Sequence, residues 1–448
     1  MKASDTAAPC HTEGQPLQAA SLKSDAEEEP PSTIASGHRR RLFEHIPEEL
    51  WKDWKWQFAN RITSIDELSS FIPLSSQEKA ELKLVTREYP LSVTPYYLCL
   101  MNPEDPDDPI RRQAIPCLEE TALAGIGLDD PLEERGDSVV PGLVHRYPDR
   151  VLMVLTNICP VFCRHCTRKR EWRHGKWIRT RDQVEAMLGY IRDNTSIRDV
   201  IISGGDPLVL SVGRLEEVIS GLRRIRHVDI IRIGSRFPVV LPQRIDDELC
   251  SMLSGYGPVW FNTHFNHERE ITPESAAACE RLLRAGVPVN NQSVLLRGVN
   301  DSVEAQTRLC HGLLKSRVRP YYLFQCDEVR GTEHLRTPVD VGLKIIEGMR
   351  GHTSGLAIPT FVVDLPNGGG KVPLQPNYVK SHTKSELVLR NYEFRLFRYR
   401  NPVAQRVPKN GRHSRGGAFN SRREPERETK IVATSAGGED ENRAVVRS

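Results

Sequence analysis

The chain has 448 residues with a net charge of only +3, 62 Lys and Arg against 59 Asp and Glu, which argues against a general role in holding polyanions such as nucleic acid. At 38% hydrophobic, with no apolar run of membrane-spanning length and no basic-then-apolar opening, it reads as a protein without a membrane or secretory segment. Ten cysteines in such a chain point to a reducing, cytoplasmic setting and to thiols rather than disulfides.

Residues 1–40 are rich in Ala, Ser, Glu and Pro and poor in large apolar side chains, so a disordered tail is expected there. Residues 41–144 read as a mostly helical region. Trp51, Trp54, Trp56 and Phe58 share helical spacing over Glu48–Arg61, a pattern that suits core packing, and Thr63–Ile72 and Ser76–Arg87 each open on a capping residue. PEDPDDP, Pro103 to Pro109, is a loop.

From residue 145 the pattern changes. Apolar runs at Val151–Thr156, Asp199–Ser203, Val228–Gly234, Val259–Thr263, Val287–Leu295 and Val318–Phe324 alternate with amphipathic stretches at Arg181–Asn194, Val212–Arg226, Asp246–Tyr256, Pro273–Ala285, Ser302–Lys315 and Val339–Arg350. Strand–helix repetition of this kind predicts an α/β fold with a parallel sheet and right-handed crossovers. Six repeats suit a partial (β/α)6 barrel over 145–350, with Asn291 and Gln292 interrupting the fifth strand. Parallel barrels carry their chemistry at the C-terminal strand ends. The cysteine triplet, Ser203-Gly204-Gly205-Asp206, Gly234-Ser235-Arg236, His264, and Gln325-Cys326-Asp327 all fall there. Residues 351–400 form a C-terminal segment with an exposed Gly-rich loop, Pro366 to Lys371, and 401–448 read as a second disordered tail with solvated charge runs.

The most informative stretch is Thr156 to Arg170, TNICPVFCRHCTRKR, directly after the first barrel strand. Cys159, Cys163 and Cys166 are spaced C-x3-C-x2-C. A zinc site wants four ligands, commonly as two C-x2-C pairs, and the triplet has no second pair, with His165 wedged between two of the thiols. Three thiolates suit a [4Fe–4S] cluster, which is held by cysteine sulfur and here would keep one iron open.

CRHCTRKR, SGGDPL, RIGSRFPVVLPQRI, WFNTHFNHERE, NQSVLLRGVND, RPYYLFQCD and PTFVVDLPNGGGKVP together resemble the lysine 2,3-aminomutase family of radical S-adenosylmethionine (SAM) enzymes, over about Leu42 to Tyr392. The resemblance implies a radical-SAM barrel with three cofactors: the cluster on Cys159, Cys163 and Cys166; SAM held by Ser203, Gly204, Gly205, Asp206, His264 and Gln292; and pyridoxal 5′-phosphate on Lys371, with Arg146 and Arg150 at its phosphate. It further implies that Arg168 pairs a substrate carboxylate and that Asp327 and Asp364 receive a distal ammonium. The implied activity is conversion of L-lysine to L-β-lysine by amino migration; arginine is the alternative that the same two acids allow. Phe324, beside that pocket, stands where relatives carry Tyr. A one-electron reductant such as flavodoxin or ferredoxin and a homo-oligomer are implied partners. Some family members bind zinc through C-terminal cysteines and one in a partner subunit. This chain has no cysteine after Tyr399 and has Ser302 at the internal position, so no structural zinc is expected.

Overall fold

The computed structural model describes residues 31–402. Residues 1–30 and 403–448, most of the two expected tails, lie outside the described residues. Pro31–Phe43 is a helix, so helical structure begins before the boundary expected at residue 41. The single helix expected over Glu48–Arg61 is two, Glu48–Lys52 and Trp54–Ala59. The break is Asp53, which leaves the helical region and turns its carboxylate back to accept the Lys55 N–H at 2.8 Å, capping the second helix. Ser75 and Glu78 form a reciprocal capping box on Ser76–Glu88. Trp51 is buried, with its ring against Phe43 and Trp56, so the aromatic stripe is core.

A ten-stranded sheet follows in chain order. Its strands are β1 (Ser138–Val140), β2 (Leu143–Tyr147), β3 (Arg150–Val154), β4 (Asp199–Ser203), β5 (Ile230–Gly234), β6 (Val259–Thr263), β7 (Val289–Leu295), β8 (Arg319–Gln325), β9 (Thr360–Leu365) and β10 (Gly370–Pro373). From β3 to β9 every pair is parallel. The crossovers carry helices Arg181–Asp193, Val212–Arg223, Asp247–Ser254, Pro273–Arg284, Val303–Lys315 and Val339–Met349. Each of the first five opens on a side-chain cap (Thr180, Ser211, Asp246, Thr272, Ser302), and each buries an apolar face such as Leu215, Val218, Ile219 and Leu222. The six strand–helix repeats are those the sequence predicts, within a few residues at each end.

Three features differ from expectation. Asn291 and Gln292 do not interrupt the fifth barrel strand; β7 runs through them with a register shift between the two. The parallel sheet gains β9 as a further strand, and antiparallel strands extend it at both ends. Lys371 lies not in the exposed Gly-rich loop itself but in β10, directly opposite Asp364 of β9. Asn367, Gly368 and Gly370 take left-handed φ values of 53°, 73° and 81°, which closes a tight hairpin rather than a long loop.

The barrel is open: β1 and β10 stand at opposite ends of the strand order. Its ends are nevertheless clasped. The Lys371 N–H of β10 donates to Tyr147 Oη of β2 at 2.8 Å, and the Asn367 N–H donates to the Pro131 carbonyl at 3.1 Å. Beyond the barrel, β11 (Val379–His382), β12 (Glu386–Arg390) and β13 (Leu396–Arg400) form a separate antiparallel sheet.

The helical region is bolted to the loop after β3 by a buried ionic cluster. Glu120 accepts from Arg164 Nε at 2.9 Å and Nη2 at 2.6 Å, and from Lys169 Nζ at 2.7 Å, with all three side chains essentially inaccessible. Burial alone would raise the Glu120 carboxyl, but the two cations overcome it and hold it below its usual range. Removing the anion strands two buried cations. Glu120→Gln is expected to lose about 3–5 kcal/mol of unfolding free energy, read as a lower urea midpoint at unchanged slope.

Candidate active site

The curved sheet encloses a cavity of about 680 Å³, lined by every site residue expected from the sequence, from the cysteines at the C-terminal rim to Arg150 at the start of β3.

Cys159, Cys163 and Cys166 are free thiols on the loop after β3. The loop is fixed from outside: Phe162 N–H donates to Ser92 O, Ser92 Oγ donates to Pro160 O, and Arg164 N–H donates to Gln113 O. Burial, reinforced by the neighbouring thiols, pushes Cys159 well up and Cys166 up to about 11. Two N–H groups aim at the sulfurs: Arg168 N donates to Cys166 Sγ at 3.3 Å and Arg236 Nη1 to Cys163 Sγ at 2.8 Å. Among the described residues, no three His, Cys, Asp or Glu side chains converge closely enough to hold a single metal ion. Three thiols facing one cavity, with N–H donors on their sulfurs, fit a cubane cluster.

The Ser203–Asp206 turn lies backbone-to-backbone on the start of that loop. A Cβ on Gly204 would stand 2.5 Å from Thr156 O, and one on Gly205 2.5 Å from Ile158 O. The paired glycines are therefore required by packing against the strand end that leads to Cys159. The Asp206 carboxylate is engaged within the protein: it accepts from Leu208 N–H at 3.1 Å, Ser235 Oγ at 3.0 Å and Arg236 N–H at 2.8 Å. Burial pushes its carboxyl up to about 7 against these donors. The turn thus presents backbone to the cavity, while Asp206 ties β4 to β5. His264 Nδ1 faces the Gln292 carbonyl at 3.1 Å, and burial takes the ring down to about 4. A neutral ring that donates from Nδ1 leaves Nε2 an acceptor.

The candidate carboxylate and phosphate cations differ in availability. Arg168 forks onto Glu134, with Nη2 to Oε1 at 2.6 Å and Nε to Oε2 at 2.9 Å, and also donates to Gly204 O. Burial would raise Glu134, but Arg168 and Arg170 hold it down to about 2. Arg146 bonds Asp137 at 2.7 Å and the Leu132 carbonyl. Arg150 stacks on Tyr147 at 4.2 Å, and its Nε makes no hydrogen bond but lies 3.7 Å from an Asp149 carboxylate oxygen, so it is the less tightly engaged of the two.

At the cavity's other wall, Asp364 accepts from Lys371 Nζ at 2.8 and 3.0 Å, and that ammonium lies 5.0 Å from the Phe324 ring. Asp327 Oδ2 accepts from Thr167 Oγ1 at 2.8 Å. Burial, then the Asp364 charge, pushes Asp327 up to about 6, opposed by Thr167 and Lys371. The two acids thus influence each other electrostatically, while Asp364 alone holds the ammonium directly. Glu134 and Thr167 were missed by sequence reasoning, and Arg236 was placed at the rim without a role. Glu134 sits in an acid-rich stretch, PLEERGD, that reads as surface, whereas Arg236 follows a barrel strand and was placed at the rim on that signal.

Residues 153–308 match the model for the Radical SAM superfamily, and residues 346–435 match the model described as Lysine-2,3-aminomutase. The chain is 52% identical to L-lysine 2,3-aminomutase of Clostridium subterminale over 365 residues, 82% of this chain and 88% of that one. It is 50% identical to the Bacillus subtilis enzyme of that name, over 81% of this chain and 77% of the relative. It is 44% identical to glutamate 2,3-aminomutase of Clostridioides difficile, over 81% and 86%. The fold and the cysteine site define a radical SAM enzyme, a class whose chemistry implies a [4Fe–4S] cluster and SAM. The chain belongs to the lysine 2,3-aminomutase family, and is an isomerase.

Asp327 generates a test of the site's electrostatics. Because its folded value lies above the ordinary 3.8, the folded state binds more protons between about pH 4 and 6, and this group's contribution to stability falls as pH rises through that window. Asp327→Asn removes that loss. Relative to the parent, the variant is expected to gain unfolding free energy on going from about pH 4 to about pH 7, measured by denaturant unfolding at both values.

Proposed function

We propose that the protein is a pyridoxal phosphate-dependent 2,3-aminomutase that converts L-lysine to L-β-lysine. One observation carries the reading: Asp364 holds the Lys371 ammonium, and Asp327, close enough to feel the Asp364 charge, lines the same cavity as the three cysteines. Two acids around one cation select a basic side chain, and a glutamate side chain would meet two like charges there. The names of the two 50–52% identical relatives support the same substrate.

When bound, the cluster with SAM supplies a hydrogen-abstracting radical, and pyridoxal phosphate supplies an electron-delocalising ring. The chain's residues do the rest. Cys159, Cys163 and Cys166 ligate iron. The Ser203–Gly205 backbone, Gln292 and neutral His264 bound the SAM side of the cavity. Lys371 is the cofactor lysine, and Arg150, with Arg146, meets the phosphate. Asp327 and Asp364 hold the substrate ε-ammonium, and Arg168 takes the carboxylate by sharing its fork with Glu134. The enzyme works in the cytoplasm with a flavodoxin- or ferredoxin-type reductant, as a homo-oligomer without structural zinc, and engages neither nucleic acid nor membrane.

The deciding experiment is an anaerobic assay of the reconstituted protein with lysine, arginine and glutamate side by side. Turnover of lysine is expected; turnover of arginine alone keeps the fold and moves the substrate, and turnover of glutamate alone overturns the two-acid reading. Borohydride reduction followed by peptide mapping is expected to label Lys371. Asp327→Asn and Asp364→Asn are each expected to lower kcat/KM for lysine by two orders of magnitude or more, on the order of 3–5 kcal/mol for a buried pair that loses a partner.

A further inference from the structure

Arg236 lies two residues past the end of β5 and enters none of the roles above. It is buried, and every donor it has is placed. Its backbone N–H is held by Asp206 at 2.8 Å and its Nε by the His264 carbonyl at 3.2 Å. Nη2 faces Gln113 Oε1 at 2.6 Å, Glu270 Oε1 at 2.7 Å and Tyr97 Oη at 3.1 Å. Nη1 points the other way, to Cys163 Sγ at 2.8 Å. The guanidinium is thus gripped on three sides by strand ends and by the helical region, and its remaining edge is presented to one cysteine sulfur. Glu270 is fully buried and is in turn fixed by the Tyr97 hydroxyl at 2.6 Å and the Asn266 and His267 N–H groups at 2.6 and 3.0 Å.

We propose that Arg236 sets the reduction potential of the cluster ligated by Cys163, with Glu270 as the counter-charge that moderates it. Reduction of a [4Fe–4S] cluster from the 2+ to the 1+ state adds one electron, delivered by an external one-electron donor. A cation hydrogen-bonded to a ligating sulfur stabilises the added negative charge and raises the potential. A rigid guanidinium is suited to this because it stays charged and cannot turn away without breaking its other bonds. The role rests on the cysteine triplet being the cluster site; Arg236 itself touches a ligand sulfur and acts through it, as a positioning and tuning residue.

The test is an EPR-monitored redox titration of the anaerobically reconstituted full-length protein, with iron content measured on the same samples. Arg236→Met combined with Glu270→Gln removes both charges, so neither is left buried alone. It is expected to retain iron and to titrate at a more negative potential, by at least a tenfold shift in the reduction equilibrium, 59 mV for one electron. Arg236→Lys, which keeps the charge, is expected to recover part of the shift. Glu270→Gln alone leaves Arg236 uncompensated and is expected to move the potential the opposite way, so the proposal stays testable if the double variant does not fold. Variants that hold iron at the parent's stoichiometry and titrate at the parent's potential overturn the proposal. A parent protein that reconstitutes no cluster overturns the cysteine reading instead.

Discussion

The Glu120 carboxylate, buried between Arg164 and Lys169, is the contact on which the arrangement of the site depends. Both cations belong to the loop that carries the cysteines, one between Cys163 and Cys166 and the other just past them, while Glu120 comes from the helical region. Neither cation could be buried without that anion, since an uncompensated buried charge costs several kcal/mol. Pairing therefore forces the helical region against one side of the loop, and the Ser203–Asp206 turn closes the other side by backbone contact. The loop's own apolar anchors are few, chiefly Val161 in the core and Phe162 against Trp172, and these neighbours fix the rest of its shape.

The cavity's charged groups already have partners within the chain. Arg168 is forked onto Glu134, Lys371 onto Asp364, and Arg146 onto Asp137. Ligand recognition in such a site is an exchange of partners rather than the capture of a bare charge, so less desolvation remains to be offset on binding. The same logic separates Arg150, whose Nε lacks a hydrogen-bond partner, from Arg146. Asp206 lines the cavity and its carboxylate also holds strand ends together.

The parallel core was legible because its signals are local. Apolar runs of strand length, caps such as Thr180 and Thr272, and amphipathic faces between them are written in consecutive residues. The residues of the candidate site were legible through motif resemblance and through their shared rim, and they line one cavity. What escaped notice depends on distant pairing. Glu134 and Arg168 are separated by 34 positions, and Arg236 and Gln113 by 123. The terminal strands were lost for a different reason: β1, β2 and β10 are short and half-polar, and their pairing comes from the sheet edge they join rather than from their own pattern. In the same way the PNGGG stretch reads as a loop because its composition permits left-handed backbone, and that freedom is what the hairpin consumes.

The clasp between Tyr147 and the Lys371 backbone has a mechanical consequence. Neighbouring strands elsewhere in the sheet are stitched along their length, and parting them means unzipping a row of bonds together. At the junction of the two sheet ends the described contacts are single and of mixed kind, a phenol against a backbone amide and a hairpin amide against a loop carbonyl. The two ends of the wall are therefore tied at points rather than along a row, and one of those points is the backbone of Lys371 itself.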